Sequence, residues 1–409
     1  MENKTKFKEA EIGRISEEWS EISLGSVVTF QRGYDLPLKF KKNGPYPIIM
    51  SNGIGGYHNE FKAKGPGVTI GRSGNLGEPF YTGKDYWPHN TTLYIKKYHN
   101  AYPKFVYYFL KGLKLSRFNA GSAVPTLNRN HIHPIPIIFP NKVAEQKDIA
   151  KILSDLDSKI ELNQQMNKTL ETIGQALFKR WFVDFEFPNE ERNPYKSSGG
   201  EMIDSELGEI PKGWKITELK ECGDVICGKT PSTKDKNNYG VDVPFITIAD
   251  MRGQVFVIKT ERKLSLDGAK TQVKKKLPPL SICVSCIATP GLVALTSETS
   301  HTNQQINSII CKKGISPYFI YLTMSRMSEQ IKLLGLGGTA TLNLNTGNFS
   351  KIKIIYPSMQ VMKNFHGKTK AIFDKILLTV KEINMLCRIR DSLLPRLMSG
   401  KIRVSYKRC

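Results

Sequence analysis

The sequence predicts an α+β fold in which two similar domains, each a twisted and mostly antiparallel sheet with short helices, are each followed by a long helix. Three observations predict it. Short anchor sequences recur in the same order in both halves of the chain, and apolar residues at heptad spacing extend over two stretches of about 33 residues. Short strand-like runs separated by glycine and proline precede each stretch. A chain of 409 residues is also too long for one ordinary core.

The repeat begins with anchors that have a constant offset. Ile12-Gly13-Arg14-Ile15 with Trp19 corresponds to Leu207-Gly208-Glu209-Ile210 with Trp214, and the offset is 195 (208 − 13 and 214 − 19). Later anchors follow in the same order: Tyr46–Ile49 with Val243–Ile246, Asn90 with Asn303, Pro103–Tyr107 with Pro317–Tyr321, Thr126–Asn128 with Thr341–Asn343, and Pro140 with Pro357. The last offset is 217 (357 − 140), so the second copy has 22 extra residues (217 − 195), which we expect in loops between the anchors.

These anchors predict five segments along the chain. They are a first domain over 1–140, a central long helix over 141–186, a polar linker over 187–205, a second domain over 206–357, and a C-terminal long helix and tail over 358–409. Ser316 is the predicted N-cap of a short helix that starts with Pro317, and Asn141 and Ser358 are the predicted N-caps of the two long helices.

The two long helices are predicted to pack on each other as an antiparallel coiled coil, because neither can bury its apolar seam on a small domain alone. The seam residues are Leu153, Leu156, Ile160, Asn163, Asn167, Leu170 and Leu177 in the central helix, and Ile372, Ile376, Ile383, Leu386 and Leu393 in the C-terminal helix. Asn163 and Asn167 either fix the register and orientation of the pair or face a partner protein or water, and the sequence leaves both alternatives open.

The composition points to a polyanionic partner. The chain has 60 Lys and Arg against 37 Asp and Glu, a formal net charge of +23. Since such an excess destabilises a compact state by self-repulsion, nucleic acid is the natural partner, and an unusually basic surface without a partner is the alternative. No run approaches the ~20 apolar residues of a membrane span, so a cytoplasmic location is expected.

Signatures of catalysis and of metal binding are weak in this sequence. All seven cysteines lie from Cys222 onward, and Cys283 and Cys286 form a C-x-x-C motif, which raises zinc binding as an alternative. The motif lies in a run typical of a buried strand, so we expect no metal site. Asn193-Pro194-Tyr195 lacks the second proline of an amino-methylation motif, and Gly335-Leu336-Gly337-Gly338 is not the first turn of a βαβ unit. His131 and His133 are expected in a loop. No catalytic residue is predicted.

Several motifs in the right order resemble those of the specificity subunits of type I restriction-modification systems, and the resemblance spans the whole chain. The matching motifs are Glu206–Trp214, Gly228-Lys229-Thr230-Pro231-Ser232, Ala176–Phe185 and Leu393–Ile402. The first copy departs from the family pattern, because Arg32-Gly33-Tyr34-Asp35-Leu36-Pro37 replaces the Gly-x-Thr-Pro-Ser turn.

The resemblance implies a non-catalytic DNA-binding subunit. Each target recognition domain would read one half of a split site in double-stranded DNA, and the paired helices would act as the spacer. The chain would dock two methyltransferase subunits, and the assembly can add restriction subunits. S-adenosylmethionine, ATP and Mg would therefore belong to partner subunits, with no cofactor bound by this chain. A half-site spacing on the order of one duplex turn, ~34–36 Å, fits such a separator.

Candidate DNA-reading residues are side chains able to recognise base edges from loops at equivalent places in both copies. They are Arg32, Tyr34, Arg72, Ser73, Asn75, His89, Asn90 and Ser122 in the first copy, and Lys229, Thr230, Ser232, Arg252, Thr289, Asn303, Gln304 and Thr339 in the second. For Asn90 and Asn303, capping of a strand end is the alternative. The basic runs Lys39–Lys42 and Lys274–Lys276 either contact phosphates or form a solvated face.

Two other functions are compatible with the sequence. The first is a self-contained DNA methyltransferase or nuclease, which would show intrinsic activity on DNA. The second is a coiled-coil adaptor whose basic charge tethers it to nucleic acid without sequence preference. Footprinting with and without a methyltransferase partner would separate this adaptor from a true reader of sequence. The recognised bases themselves do not follow from the loop residues.

Overall fold

The computed structural model of the chain describes residues 7–8, 15–16, 18–118, 126–335 and 343–404. The chain divides into two compact units. Unit 1 contains residues 1–160 and 386–409, and unit 2 contains residues 161–385. Each unit therefore includes one copy of the repeat together with parts of both long helices.

Unit 1 is built mainly of short strands. Its elements are β1 (Phe7–Lys8), β2 (Ile15–Ser16), β3 (Trp19–Ser23), α1 (Leu24–Val27), β4 (Val28–Arg32), β5 (Tyr46–Met50), β6 (Gly53–His58), β7 (Gly67–Gly71), β8 (Pro79–Thr82), β9 (Trp87–Pro88), β10 (Thr92–Tyr98), α2 (Pro103–Leu113), α3 (Arg129–Ile132), β11 (Pro136–Pro140) and the beginning of α4 (Val143–Phe182).

The sheets of unit 1 are mostly antiparallel, as predicted. Four strands are ordered β4-β10-β7-β8, three are ordered β6-β5-β9, and β3 pairs with β11. Only the pairing of β5 with β9 is parallel among these named strands. Every residue of β7 is buried, which explains why its sequence, Gly-Val-Thr-Ile-Gly, carries no charge. The helix α2 packs against β7 and β8 and completes this core.

Unit 2 repeats this series with additions. Its elements are the end of α4, β12 (Met202–Ile203), β13 (Ile210–Pro211), β14 (Lys215–Glu218), α5 (Leu219–Cys222), β15 (Gly223–Cys227), β16 (Tyr239–Ile246), α6 (Ile248–Met251), β17 (Phe256–Val257), β18 (Arg262–Leu264), α7 (Leu266–Lys270), β19 (Ile282–Ser285), β20 (Val293–Thr296), β21 (His301–Thr302), β22 (Ile306–Cys311), α8 (Pro317–Arg326), α9 (Ser328–Gly335), α10 (Thr346–Ser350), β23 (Lys353–Tyr356) and most of α11 (Met359–Met398).

The topology of unit 2 confirms the repeat. Its sheets are ordered β15-β22-β19-β20-β17 and β18-β16-β21, and β14 pairs with β23, so each sheet of unit 1 has a counterpart in the same order. The expectation that the extra residues form loops is wrong for 247–261. This segment forms α6 and the edge strand β17, whereas the first copy has only the turn Ser51-Asn52 between β5 and β6. A capping box between Thr247 and Asp250 starts α6.

In each unit the long helices lie side by side in opposite directions, as the sequence predicts. In unit 1 the beginning of α4 shares a buried cluster with the end of α11, and Arg390 Nη1 lies 2.8 Å from Asp157 Oδ1. In unit 2 the end of α4 meets the beginning of α11, where the Phe365 ring lies 6.2 Å from Phe178 and 5.7 Å from Trp181.

The predicted seam residues are all buried or half-buried. Asn163 is fully buried, and neither its Oδ1 nor its Nδ2 has a hydrogen-bond partner among the described residues, as is also true of Asn167 Oδ1. Both explanations of these asparagines therefore stay open. The heptad pattern missed Phe373, which is fully buried because it stacks on Tyr318 of α8 at 4.5 Å rather than on α4 alone.

Two of the three predicted N-caps are confirmed. Ser316 Oγ accepts a hydrogen bond from the Phe319 N–H (3.4 Å), and Ser358 Oγ accepts one from the Val361 N–H (3.4 Å). The prediction of Asn141 as the N-cap of α4 is wrong by one residue, because α4 begins at Val143 and the residue before it is Lys142.

Candidate DNA interface

Two turns meet in each unit and bring several of the predicted reading residues together. In unit 1, the turn after β4 crosses the turn before β10, with a hydrogen bond from Gly33 N to Thr92 O (3.0 Å). In unit 2, Gly228 N donates to Ile306 O at the same distance, 3.0 Å. We call residues 33–35 and 228–230 the first reading turn, and residues 89–91 and 303–305 the second reading turn, of their units.

The close approach of the two turns explains the glycine in each. A Cβ built on Gly33 would lie 2.1 Å from His89 O, and a Cβ built on Gly228 would lie 2.1 Å from Asn303 O. No side chain fits at such distances, so only glycine permits this crossing. The contact therefore preserves the glycine at the offset of 195 (228 − 33).

The same contacts correct the alignment of the second reading turn. His89 O occupies the position of Asn303 O, which sets an offset of 214 (303 − 89) at this point. The predicted match of Asn90 with Asn303 is therefore wrong by one residue, and Asn90 corresponds to Gln304. Backbone hydrogen bonds agree, because His89 N donates to Ile49 O (2.9 Å) as Asn303 N donates to Ile246 O (3.1 Å).

In unit 1 the two turns are joined by charged and polar side chains. Asn90 Nδ2 donates a short hydrogen bond to Asp35 Oδ1, and Arg32 Nη2 lies 3.9 Å from the same oxygen. The side chains of Arg32 and Asp35 are 54% and 69% exposed, so they are available to a ligand. Asp35 was not among the predicted reading residues.

The other predicted residues of these turns support the same surface. The Tyr34 hydroxyl lies 3.1 Å from the Tyr94 hydroxyl and anchors the first turn. Burial lowers the pKa of His89, and Asp35 opposes this effect. His89 Nδ1 lies 3.1 Å from Thr91 Oγ1 within its own turn. The contacts of Tyr34 and His89 thus hold the two turns in place, whereas the side chain of Asn90 reaches the first reading turn.

In unit 2 neutral side chains join the turns. Thr230 Oγ1 donates a hydrogen bond to Gln304 Oε1 at 2.5 Å. Asn303 instead caps its own turn, since its Oδ1 accepts from Gln305 N (3.2 Å) and its Nδ2 donates to Gln305 Oε1 (3.0 Å). The capping alternative therefore holds for Asn303. Lys229 and Ser232, on either side of Thr230, are exposed.

A basic cleft of about 640 Å³ opens beside the reading turns of unit 1. Arg32, Arg72 and Arg129 line it, with Asp35 as the acidic residue of the lining. Asn128 and Asn130 add exposed polar side chains from the start of α3. Sequence reasoning missed Arg129, because nothing in the local pattern places α3 beside β4. In the structure, Phe30 N of β4 donates a hydrogen bond to Nε2 of His133, the residue after α3 (3.0 Å).

Arg72 lies at the end of β7, where its carbonyl oxygen accepts from Leu127 N (2.9 Å). In unit 2 the Cys286 carbonyl accepts from Leu344 N in the same way, so Cys286 replaces Arg72. Burial raises the pKa of the Cys286 thiol to about 11 and that of Cys283 to about 12. The C-x-x-C motif thus lies in and after the buried central strand β19, and burial suppresses the reactive thiolate.

The remaining candidates are spread over several loops. Ser73 forms a bridge with Thr126, and Asn75, Thr289 and Arg252 are exposed in separate turns. Ser122 and Thr339 lie outside the described residues. In the basic run at 39–42, Lys39 lies over the Phe40 ring at 5.0 Å. His133 is a structural residue, since its Nε2 accepts a hydrogen bond from Phe30 N at 3.0 Å.

Comparison with known proteins identifies the family. The sequence profile of the type I restriction modification DNA specificity domain matches the chain twice, at residues 16–172 and 211–384. The chain belongs to this family. Its two matches coincide with the two copies of the repeat, and DNA sequence recognition is the function of the domain that is repeated.

Relatives of this chain cover from about two thirds to nearly all of its length. The specificity subunit of the type I restriction enzyme HindI of Haemophilus influenzae is 42% identical over 329 residues, 68% of this chain and 71% of that protein. The MjaIX specificity subunit of Methanocaldococcus jannaschii is 24% identical over 98% of this chain and 97% of its own. A crystal structure of the S subunit from M. genitalium has a TM-score of 0.66 and 15% identity, and covers 93% of this chain and 96% of that chain. This likeness supports the fold.

The described part of this specificity protein offers two further findings. It holds no cluster of three or more His, Cys, Asp or Glu side chains arranged to bind a metal ion. Among the helices in the described ranges, none combines the length and apolar character needed to cross a bilayer.

Proposed function

We propose that this chain is the non-catalytic specificity subunit of a type I restriction-modification complex and that it reads a bipartite site in double-stranded DNA. One observation carries the proposal: the two copies share a frame but differ in the side chains of their reading turns. The shared frame includes the glycine crossing at Gly33 and Gly228, whereas Asp35 and Asn90 are replaced by Thr230 and Gln304. Different readers on one frame are expected to recognise different half-sites.

The two long helices are proposed to set the distance between the half-sites. Each has 40 residues, or about 60 Å at 1.5 Å per residue. Half-sites that lie on the same face of a duplex, one turn of DNA apart, are separated by about 34–36 Å. Helices of this length, paired in each unit, are long enough to hold two recognition domains at such a separation.

Partner subunits are proposed to supply the chemistry. Two methyltransferase subunits would dock on this chain and carry S-adenosylmethionine, and restriction subunits can join with ATP and Mg. The net charge of +23 supports binding to DNA phosphates as the basal source of affinity. The relatives are named as subunits of restriction enzymes, which favours this division of labour.

A domain exchange tests the proposal. Residues 20–140 are replaced by the first domain of another family member, and the sites methylated by the assembled complex are mapped. One half-site should change and the other should remain. A change in both halves would contradict the modular organisation. Methylation by the pure chain with labelled S-adenosylmethionine would instead favour a self-contained methyltransferase, and footprints without sequence preference would favour a tethering adaptor.

A matched insertion tests the spacer. Seven residues are added to each long helix at the boundary between the units, after Ile160 and before Leu386. Seven residues preserve the heptad pattern and add about 10 Å of helix. The expected result is a longer spacer between two unchanged half-sites. An unchanged spacer would overturn this role of the helices.

A further inference from the structure

The pairing of a turn residue with a carboxamide recurs at equivalent positions in both units. Asp35 corresponds to Thr230 by the offset of 195 (230 − 35), and Asn90 corresponds to Gln304 by the offset of 214 (304 − 90). In each unit these two residues contact each other across the reading turns. The recurrence of the contact, with both residue types changed, indicates a shared task for the carboxamide rather than a requirement for one particular bond.

The partner determines how firmly the amide is oriented. An ionised carboxylate only accepts hydrogen bonds, so Asp35 must face the Nδ2 side of Asn90. A hydroxyl both donates and accepts, so Thr230 can satisfy either end of the Gln304 amide. Asn90 is therefore held in one orientation, whereas the amide of Gln304 has two compatible orientations.

The orientation of the Asn90 amide determines which of its atoms can form hydrogen bonds with DNA. Its Nδ2 carries two hydrogens, and one of them is donated to Asp35. The second hydrogen and the carbonyl oxygen remain, and these are the groups with which an asparagine binds N7 and N6 of adenine in the major groove. Arg32, beside Asp35, and the basic cleft place phosphate-binding charge next to this amide.

We propose that Asn90 is a specificity-determining residue that recognises an adenine in the first half-site, and that Asp35 is the positioning residue that orients its amide. This inference rests on the proposed function, since it needs the first domain to read DNA. It goes further by naming the reader, the base and the group that fixes the reader.

Stability is a poor explanation for this cluster. Asp35 and Arg32 are both more than half exposed, and exposed ion pairs typically contribute only about 0.2–1 kcal/mol. The glycine crossing and the backbone hydrogen bonds already hold the two turns together. Substitutions at Asp35 and Asn90 are thus expected to leave the fold intact, which makes base preference measurable.

The test uses the full chain assembled with its methyltransferase subunits and selects bound duplexes from a randomised pool. With Asn90→Ala, preference for adenine at one base pair of the first half-site should fall by about 5-fold to 150-fold, the equivalent of 1–3 kcal/mol. Preference at every other position should persist. Asp35→Ala should lower the same preference by about 5-fold or less, and Asp35→Thr, which copies the second unit, should restore part of it.

Asp155→Ala is the matched control for Asp35→Ala, because it also removes one exposed carboxylate from unit 1. It changes the net charge equally and should leave all base preferences unchanged. Since preference is a ratio of affinities, a general gain in affinity from the lost negative charge cancels.

The outcomes separate the two proposals. If the unmodified complex enriches no sequence, the proposed function fails. If it enriches two half-sites and Asn90→Ala changes no base preference, only the present inference fails. A change confined to a base pair without adenine, or to the second half-site, also overturns it. Equal unfolding curves for all variants establish that a changed preference does not come from loss of fold.

Discussion

Trp19 and Trp214 hold equivalent positions in the two copies, yet their surroundings differ in kind. The Trp19 indole N–H donates to the carboxylate of Glu145 at 3.2 Å, and Arg403 Nε lies 2.8 Å from the same oxygen. Trp19 and Glu145 are only 1% and 7% exposed. The joint between domain and helices in unit 1 therefore contains a buried carboxylate, its hydrogen bond from Trp19 and its ion pair with Arg403.

Around Trp214 the corresponding contacts are aromatic. Its ring lies 5.7 Å from Phe182, 5.7 Å from Phe185 and 4.9 Å from Phe187, and the last pair is stacked. Phe185, three residues after the end of α4, has a positive φ of 58° and so adopts an unfavourable backbone conformation while its ring packs on Trp214. The joint of unit 2 is thus held by apolar area.

The comparison shows that the same arrangement of domain and long helices can be held together by two kinds of interaction. Aromatic packing acts through many weak contacts and is insensitive to pH and salt. A buried carboxylate must keep its partners, since an unpaired one is costly. Substitutions at the two joints should therefore lower the free energy of unfolding by different amounts, and only those in unit 1 should show an effect that depends on pH and salt.

The largest effect is expected for Phe182→Ala. Deleting this buried ring should lower the free energy of unfolding of unit 2 by about 3–5 kcal/mol, as for other buried Phe-to-Ala changes. Hydrogen exchange followed by mass spectrometry in urea measures it, because the method distinguishes peptides of the two units. Leu162→Ala, on the same helix with 57% exposure, is the control. A loss below about 1 kcal/mol for Phe182→Ala would contradict the importance of the aromatic joint.

A smaller loss is expected for Glu145→Ala, about 1–3 kcal/mol in unit 1, because the Trp19 N–H loses its acceptor. Glu145→Gln keeps an acceptor oxygen and should lose less, although Arg403 loses its charged partner there. The same exchange measurement applies, with Asp155→Ala as the exposed control. Equal losses for Ala and Gln would show that the charge, rather than the hydrogen bond to Trp19, carries the stabilisation.

The smallest effect is expected for Glu18→Gln and depends on pH. Hydrogen bonds from Lys142 and Arg403 lower the pKa of Glu18 below its ordinary value of 4.5. The unfolded state therefore binds this proton more readily, and the contribution is present above pH 4.5 and lost as pH falls through the lowered pKa. Because the side chain is 42% exposed, about 0.2–1 kcal/mol is expected at neutral pH, less at high salt.

Thermal unfolding of the unmodified chain and of Glu18→Gln, at pH 7 and pH 4, measures this contribution. The difference between the two proteins should shrink at the lower pH. A difference that grows on acidification would reverse the assigned sign. Trp214 and its aromatic neighbours should contribute no such dependence in unit 2, which sharpens the contrast between the joints.

Much of the frame was predictable from local patterns. The offset of 195 between Trp19 and Trp214 located the repeat, heptad spacing located both long helices, and Ser316 and Ser358 located helix starts. The caps and the heptads act over one or two turns of helix, and the repeat is visible as a similarity between two parts of the same chain. They need no knowledge of which distant segment will be a neighbour.

The reading turns were predictable only as a region. Asn90 and Gln304 were both among the candidates, but the match of Asn90 with Asn303 placed the alignment one residue off. Asp35 was missed although its offset of 195 to Thr230 was visible in the sequence. Its importance depends on a contact with Asn90, 55 residues away, which no local pattern encodes.

The sequence by itself determined a duplicated α+β frame with two heptad helices and a strong positive charge, because periodicity, caps and composition are properties of the chain. The tertiary structure decided which side chains meet. The pairing of β4 with β10 brings Asp35 to Asn90. The segment after α11 brings Arg403 to Glu145, which also binds Trp19, a residue 126 positions earlier in the chain than Glu145. Such contacts depend on how whole elements pack, because the two residues of each pair come from segments that are distant in the sequence.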